Sequence, residues 1–153
     1  MKLLLDTTYL LPAIGISVKN VPKDAPIKLL RKGHTIFMSD ISIFELSANG
    51  AKYVATGKLP AERVTRGIRA IVYNETIEKI PIHDTALVLT TFKLRSLLSG
   101  FIDCLILSAA IDKCDALITE DQNIQNLKEN KEFKGFLSSA NPSFKIQTLK
   151  ESL

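Results

Sequence analysis

Continuous apolar runs, rather than strict alternation, mark the strands of this chain. "KLLLD" at 2–6, "TIFMS" at 35–39, "IEKIPI" at 77–82 and "ALIT" at 116–119 read as short strands, and "SFKIQTL" at 143–149 as a last strand at a sheet edge. Strands apolar throughout suit a sheet covered on both faces. Between them the apolar positions take helical spacing. A short helix is expected from Thr8 to about Gly15, then a loop, "NVPKDAP". "IKLLRKG" gives a helix with a basic last turn and Gly33 just past its end. Ser39 or Asp40 can cap a helix over Ile41–Thr56 whose apolar face would be Ile41, Phe44, Ala48, Ala51 and Ala55. "LPAERVTRGIRAIVYN" is another, with Pro60 near its first position. "HDTALVLTTFKLRSLLSG" reads as one long helix ending at Gly100, and "IDCLILSAAIDKC" as a central helix, apolar almost all round. A short helix is expected over Gln122–Lys128, and a loop over Lys131–Pro142.

Strands alternating with helices imply an α/β fold, a three-layer sandwich around a mostly parallel sheet. The 153 residues suit one domain, and no repeat or linker divides them. No apolar run approaches the length of a membrane span, and the N-terminus lacks the pattern of a secretory signal, so a cytoplasmic protein is expected. Cys104 and Cys114 fall on one helix, ~15 Å apart by helical rise, and so are expected as separate buried thiols. The formal charge of +4 permits an anionic partner without requiring one.

Four acids change the picture. Asp6 ends the first strand, and Asp121 lies two residues past "ALIT". Parallel sheets bind ligands at the carboxyl ends of their strands. Glu45 flanks the apolar face of its helix, and Asp103 stands in the first turn of the most apolar helix. Each has an ordinary reading by itself. Asp6 and Asp121 could be N-caps, Asp103 a first-turn acid favoured by the helix dipole, and Glu45 a solvated partner of Lys52 or Lys58. Taken together, they would repel one another severely without a counter-ion. A hard divalent cation such as Mg2+ or Mn2+ accepts such oxygen donors. His34 and His83 stand apart and offer no zinc set.

In order, "LLLDTT", "ISIFEL", "FIDCLILSAAI" and "LITED" resemble the PIN domain. The resemblance covers nearly the whole chain. It maps the family's acids onto Asp6, with Thr7 after it, Glu45, Asp103, and Asp121 of the T-x-D pattern opened by Thr119. Glu120 stands beside Asp121, but the pattern favours Asp121. A further acid that many members carry is Asn123 here, which removes a charge from any second metal position.

The resemblance implies a Mg2+- or Mn2+-dependent endoribonuclease. Asp6, Glu45, Asp103 and Asp121 would be its metal-binding, catalytic acids, and Thr7, Thr119 and Asn123 would support them. It also implies an RNA substrate and a homodimer. Two roles fit: the toxin of a VapC-type toxin–antitoxin pair, with an antitoxin protein as partner, or an RNA-processing nuclease. The alternative from another class is an inactive PIN-fold module that binds RNA or protein. A phosphatase with an aspartyl-phosphate intermediate would need an acid two residues after Asp6, where Thr8 stands. Arg63, Arg66 and Arg69 lie opposite the apolar face of Val64, Ile68 and Ile71. They are candidates for phosphate contact, as is the segment Lys19–Lys32, and both have a solvated face as their ordinary reading. With no tryptophan, base stacking is not the evident mode.

Overall fold

Five short strands form a sheet in the order β3-β2-β1-β4-β5, and every neighbouring pair is parallel. They are β1 (Lys2–Leu5), β2 (Thr35–Ser39), β3 (Ile77–Ile80), β4 (Ala116–Ile118) and β5 (Lys145–Gln147). The structure is a computed structural model that describes residues 1–153, apart from the side chain of Thr85. β5 lies at an edge, as the sequence implies.

Side chains of the strands alternate between two cores. Leu4, Phe37, Leu117 and Ile146 point to one face, where α4 (Thr85–Leu94), α5 (Phe101–Lys113) and α7 (Lys131–Ala140) pack. Leu3, Leu5, Ile36, Met38, Ala116 and Ile118 point to the other. That face carries the two 3-10 turns Thr7–Tyr9 and Leu11–Ile14, with α1 (Ala25–Arg31), α2 (Ile41–Ala55) and α3 (Ala61–Val72). Because both faces are covered, the three central strands carry unbroken apolar runs, at 3–5, 36–38 and 116–118, whereas the edge strands β3 and β5 are mixed. Two four-residue helices complete the chain, α6 (Gln122–Gln125) and α8 (Leu149–Ser152). Among the described residues, no helix is long and apolar enough to cross a membrane. Cys104 and Cys114 are buried free thiols, and burial pushes the Cys114 thiol up to about 12.

Three expectations need correction. The stretch 131–142 holds a helix, α7, whose N-cap Asn130 accepts the Phe133 N–H at 2.9 Å. Phe133, Phe136 and Leu137 recur at helical spacing and seat it on the core. The expected long helix before Gly100 stops at Leu94. The chain then turns, with the Leu98 carbonyl accepting Arg95 Nη1 at 3.2 Å and the Cys104 thiol at 3.6 Å.

The third correction rotates α2. Its buried residues are Ser42, Leu46 and Gly50, whereas Phe44, Ala48, Ala51 and Ala55 are exposed. Gly50 lets α3 come close, since a Cβ there would collide with the Val64 side chain. Gly67 on α3 does the same against the turn below it, where a Cβ would run into the Ala13 carbonyl and stand 2.7 Å from Ile14 Cα.

Candidate active site

The strand order reverses at β1: β2 lies on one side of it and β4 on the other. Such a switch point opens a crevice at the carboxyl ends of the two central strands. Asp6 follows β1 there, tied down by its N–H to the Ile118 carbonyl at 3.0 Å. Thr119, Glu120 and Asp121 leave β4 beside it. Thr119 Oγ1 donates to Asp6 Oδ2 at 2.7 Å and accepts the Asp121 N–H at 3.0 Å. One hydroxyl therefore sets the position of two acids. Asp121 Oδ1 also accepts the Ile124 N–H at 3.0 Å, so the N-cap reading of this residue holds as well.

Glu45 is brought in from α2. The hydroxyl of Thr7 lies 2.5 Å from Glu45 Oε1 and 2.8 Å from Ser42 Oγ. A hydroxyl has one proton, and an ionised carboxylate only accepts. Thr7 therefore donates to Glu45, and Ser42 donates to Thr7. Ser42 was not singled out in the sequence, although its spacing of three from Glu45 places both on one helix face.

Asp103 comes from the first turn of α5, with its carboxylate against Gly100, where a Cβ would overlap Oδ2. Glu120 belongs elsewhere. Its Oε1 accepts the Tyr9 hydroxyl at 2.6 Å and the Leu149 N–H at 3.1 Å, which leaves Asp121 to face the crevice.

The four acids feel one another's charge. Burial pushes the Asp6 carboxyl up to about 6, against the Thr119 hydrogen bond and with help from Glu45 and Asp103. Burial and Asp103 raise Glu45, opposed by Thr7, while burial and Asp121 raise Asp103. Asp6 is only 9% exposed, yet among the described residues no lysine or arginine pairs with any of the four. A buried charge without a partner is expensive, so the arrangement calls for a cation. All the donors are hard oxygens, which fits Mg2+ or Mn2+ rather than zinc. Among the described residues no three acids are close enough to grip one ion directly. Mg2+ commonly keeps several waters, so carboxylates can hold it across a water layer.

The remaining candidates divide. Asn123 is exposed on a groove beside the acids. Arg63 Nη1 donates to the Ala13 carbonyl at 2.6 Å, which anchors one end of its guanidinium to the turn before α1 and leaves its other N–H groups. Arg66 and Arg69 are exposed and share a shallow depression with Glu62 and Thr65. In the segment Lys19–Lys32, Lys28 pairs with Asp24 at 3.1 Å, one turn of helix away, as a solvated face would.

The family model described as the PIN domain matches residues 3–130. This chain belongs to the PIN domain family. Several solved structures resemble it. In one, VapBC2 from Rickettsia felis bound to a DNA fragment from their promoter, a chain aligns at a TM-score of 0.59 and 20% identity, covering 97% of this chain and 98% of that one. That likeness concerns the fold, the five-stranded parallel sheet included. No curated protein matches at a significant level. PIN domains are in general nucleases that use divalent metal ions.

Proposed function

We propose that this PIN domain is a Mg2+- or Mn2+-dependent endoribonuclease. The carrying observation is Asp6: a carboxylate buried at the switch point, joined through Thr119 to Asp121 and within reach of the charges of Glu45 and Asp103, with no cationic side chain paired to any of them among the described residues. Asp6, Glu45, Asp103 and Asp121 would hold the ion. When bound, such an ion supplies Lewis-acid chemistry, activating water and offsetting the charge of the phosphodiester. The protein contributes orientation. Thr119 keeps the Asp6 carboxylate ionised by donating to it, and Thr7, backed by Ser42, does the same for Glu45. Asp103 and Asp121 are only partly buried, which leaves their side of the crevice for RNA to enter.

We infer further that the chain is the toxin of a toxin–antitoxin pair, because a chain of nearly equal extent in the VapBC2 complex shares its fold. Its partners would be an antitoxin protein and a second copy of itself. Leu89 and Phe92, one turn apart on α4, are both more than half exposed and supply an apolar face for the second copy.

RNA cleavage in Mn2+ by the wild type and by Asp6→Asn and Asp103→Asn tests the reading. Both variants should fold, by circular dichroism, and lose cleavage. Wild-type rates in the folded variants would end it.

A further inference from the structure

A polar groove of about 500 Å3 lies beside the acids, within the size range of ligand sites. One wall is the turn after α4, with Arg95, Ser96 and Ser99; the other, after β4, carries Asn123, Asn126 and Asn130. The first wall runs on through Gly100 to the Asp103 carboxylate, and the second runs back to Asp121. Asn123 is two residues from Asp121 and Ser99 four from Asp103, so the groove borders the acid cluster.

Its lining offers donors. Asn130 Oδ1 is taken by the Phe133 N–H, which leaves the side-chain NH2 without a partner among the described residues. Asn126 Oδ1 accepts Gln122 Nε2 at 2.8 Å and leaves its own NH2 likewise. Arg95 uses one N–H on the Leu98 carbonyl and keeps the others, and no aspartate or glutamate lines the groove. Amide donors and a guanidinium without a carboxylate complement an anion rich in acceptors. In this protein the surface beside an anionic cluster is where an anionic substrate most needs such help.

We propose that this groove binds the phosphodiester backbone of single-stranded RNA and leads it to the carboxylates, with Arg95 and Asn130 as phosphate-positioning residues. The proposal rests on the nuclease reading above. It moves Asn123 from support of a metal to the substrate path, and it locates phosphate contact here rather than on α3.

The test is fluorescence anisotropy of a labelled 2′-O-methyl oligouridine in Ca2+, with the full-length chain. Arg95→Gln should raise Kd at least roughly five-fold and reduce the salt slope by about one. Asn130→Asp keeps an oxygen to cap α7, so the protein should melt at its usual temperature while Kd rises at least as much. Mn2+ affinity, by calorimetry, should stay at the wild-type value in both. Wild-type protein that does not bind the probe, or variants with unchanged Kd and salt slope, would overturn the proposal. The two readings fail separately: cleavage that survives Asp6→Asn removes the nuclease mechanism, whereas loss of cleavage there with an unaltered Arg95→Gln Kd removes only the groove.

Discussion

Thr119 Oγ1 donates to Asp6 Oδ2 at 2.7 Å across 113 positions of sequence. The bond joins the ends of β1 and β4, and the same oxygen accepts the Asp121 N–H. Thr119→Val keeps the shape and removes both interactions. Leaving buried polar groups unpaired costs about 1–3 kcal/mol. The variant should melt lower and bind Mn2+ roughly ten-fold or more weakly, the size expected for loss of a group that orients a ligand. Calorimetry and thermal melting read the two effects.

The acid cluster makes stability depend on pH in an unusual direction. The Asp6 carboxyl has an ordinary value of 3.8 and rises to about 6 on folding. Below 3.8 it is protonated in both states and contributes nothing. Between the two values the folded state holds the extra proton, so stability falls as pH rises. Above about 6 the full penalty applies, at most ~3 kcal/mol. Without metal, the melting temperature should therefore fall from pH 4 to pH 7 through this group. Asp6→Asn should flatten that slope, and Mn2+ should restore stability most at the upper end. A metal-free profile identical in wild type and Asp6→Asn would contradict the raised carboxyl.

Two glycines should separate stability from activity. Gly67→Ala meets the backbone of Ala13 and Ile14, which cannot yield without moving the turn. Overpacking of this kind costs about 1–3 kcal/mol, read as a lower denaturant midpoint. Gly100→Ala meets, rather than backbone, the Asp103 side chain, most closely at Oδ2 and then at Cγ, 3.2 Å away. It should leave the midpoint within about 0.5 kcal/mol, typical of a site away from the core, and lower Mn2+ affinity by swinging that carboxylate away.

Leu89→Lys combined with Phe92→Lys should leave a monomer by light scattering, if a second copy covers α4. The monomer should be as stable to urea as a parent diluted until it dissociates, because both side chains are already exposed in the single chain.

The sheet was legible because its three central strands carry unbroken apolar runs, LLL, IFM and ALI, a pattern few other elements share. The strand-end acids were legible for the same reason: Asp6 stands directly after one such run, and Asp121 two residues past "ALIT". The errors have one physical root, which is that hydrophobicity alone does not say which surfaces touch. On α2 the alanines and Phe44 looked like the buried face, but contact depends on a serine that bonds to Thr7 and a glycine that admits Val64. Serine and glycine score poorly as apolar residues, so a helical wheel turns the helix the wrong way. At α7 the periodic Phe133, Phe136 and Leu137 and the Asn130 cap were both present, yet the serines and Gly135 around them resemble a loop. The bond from Arg63 to the Ala13 carbonyl spans 50 positions, and nothing local in the sequence signals it.

The strand order has a consequence for timing. β1 is made first, but its neighbour β4 is made only after residue 115 has been added. Until then Asp6 has neither Thr119 nor Asp121 beside it, and a growing chain still on the ribosome carries an incomplete centre. A PIN domain assembled this way completes its acid cluster only when β4 joins β1.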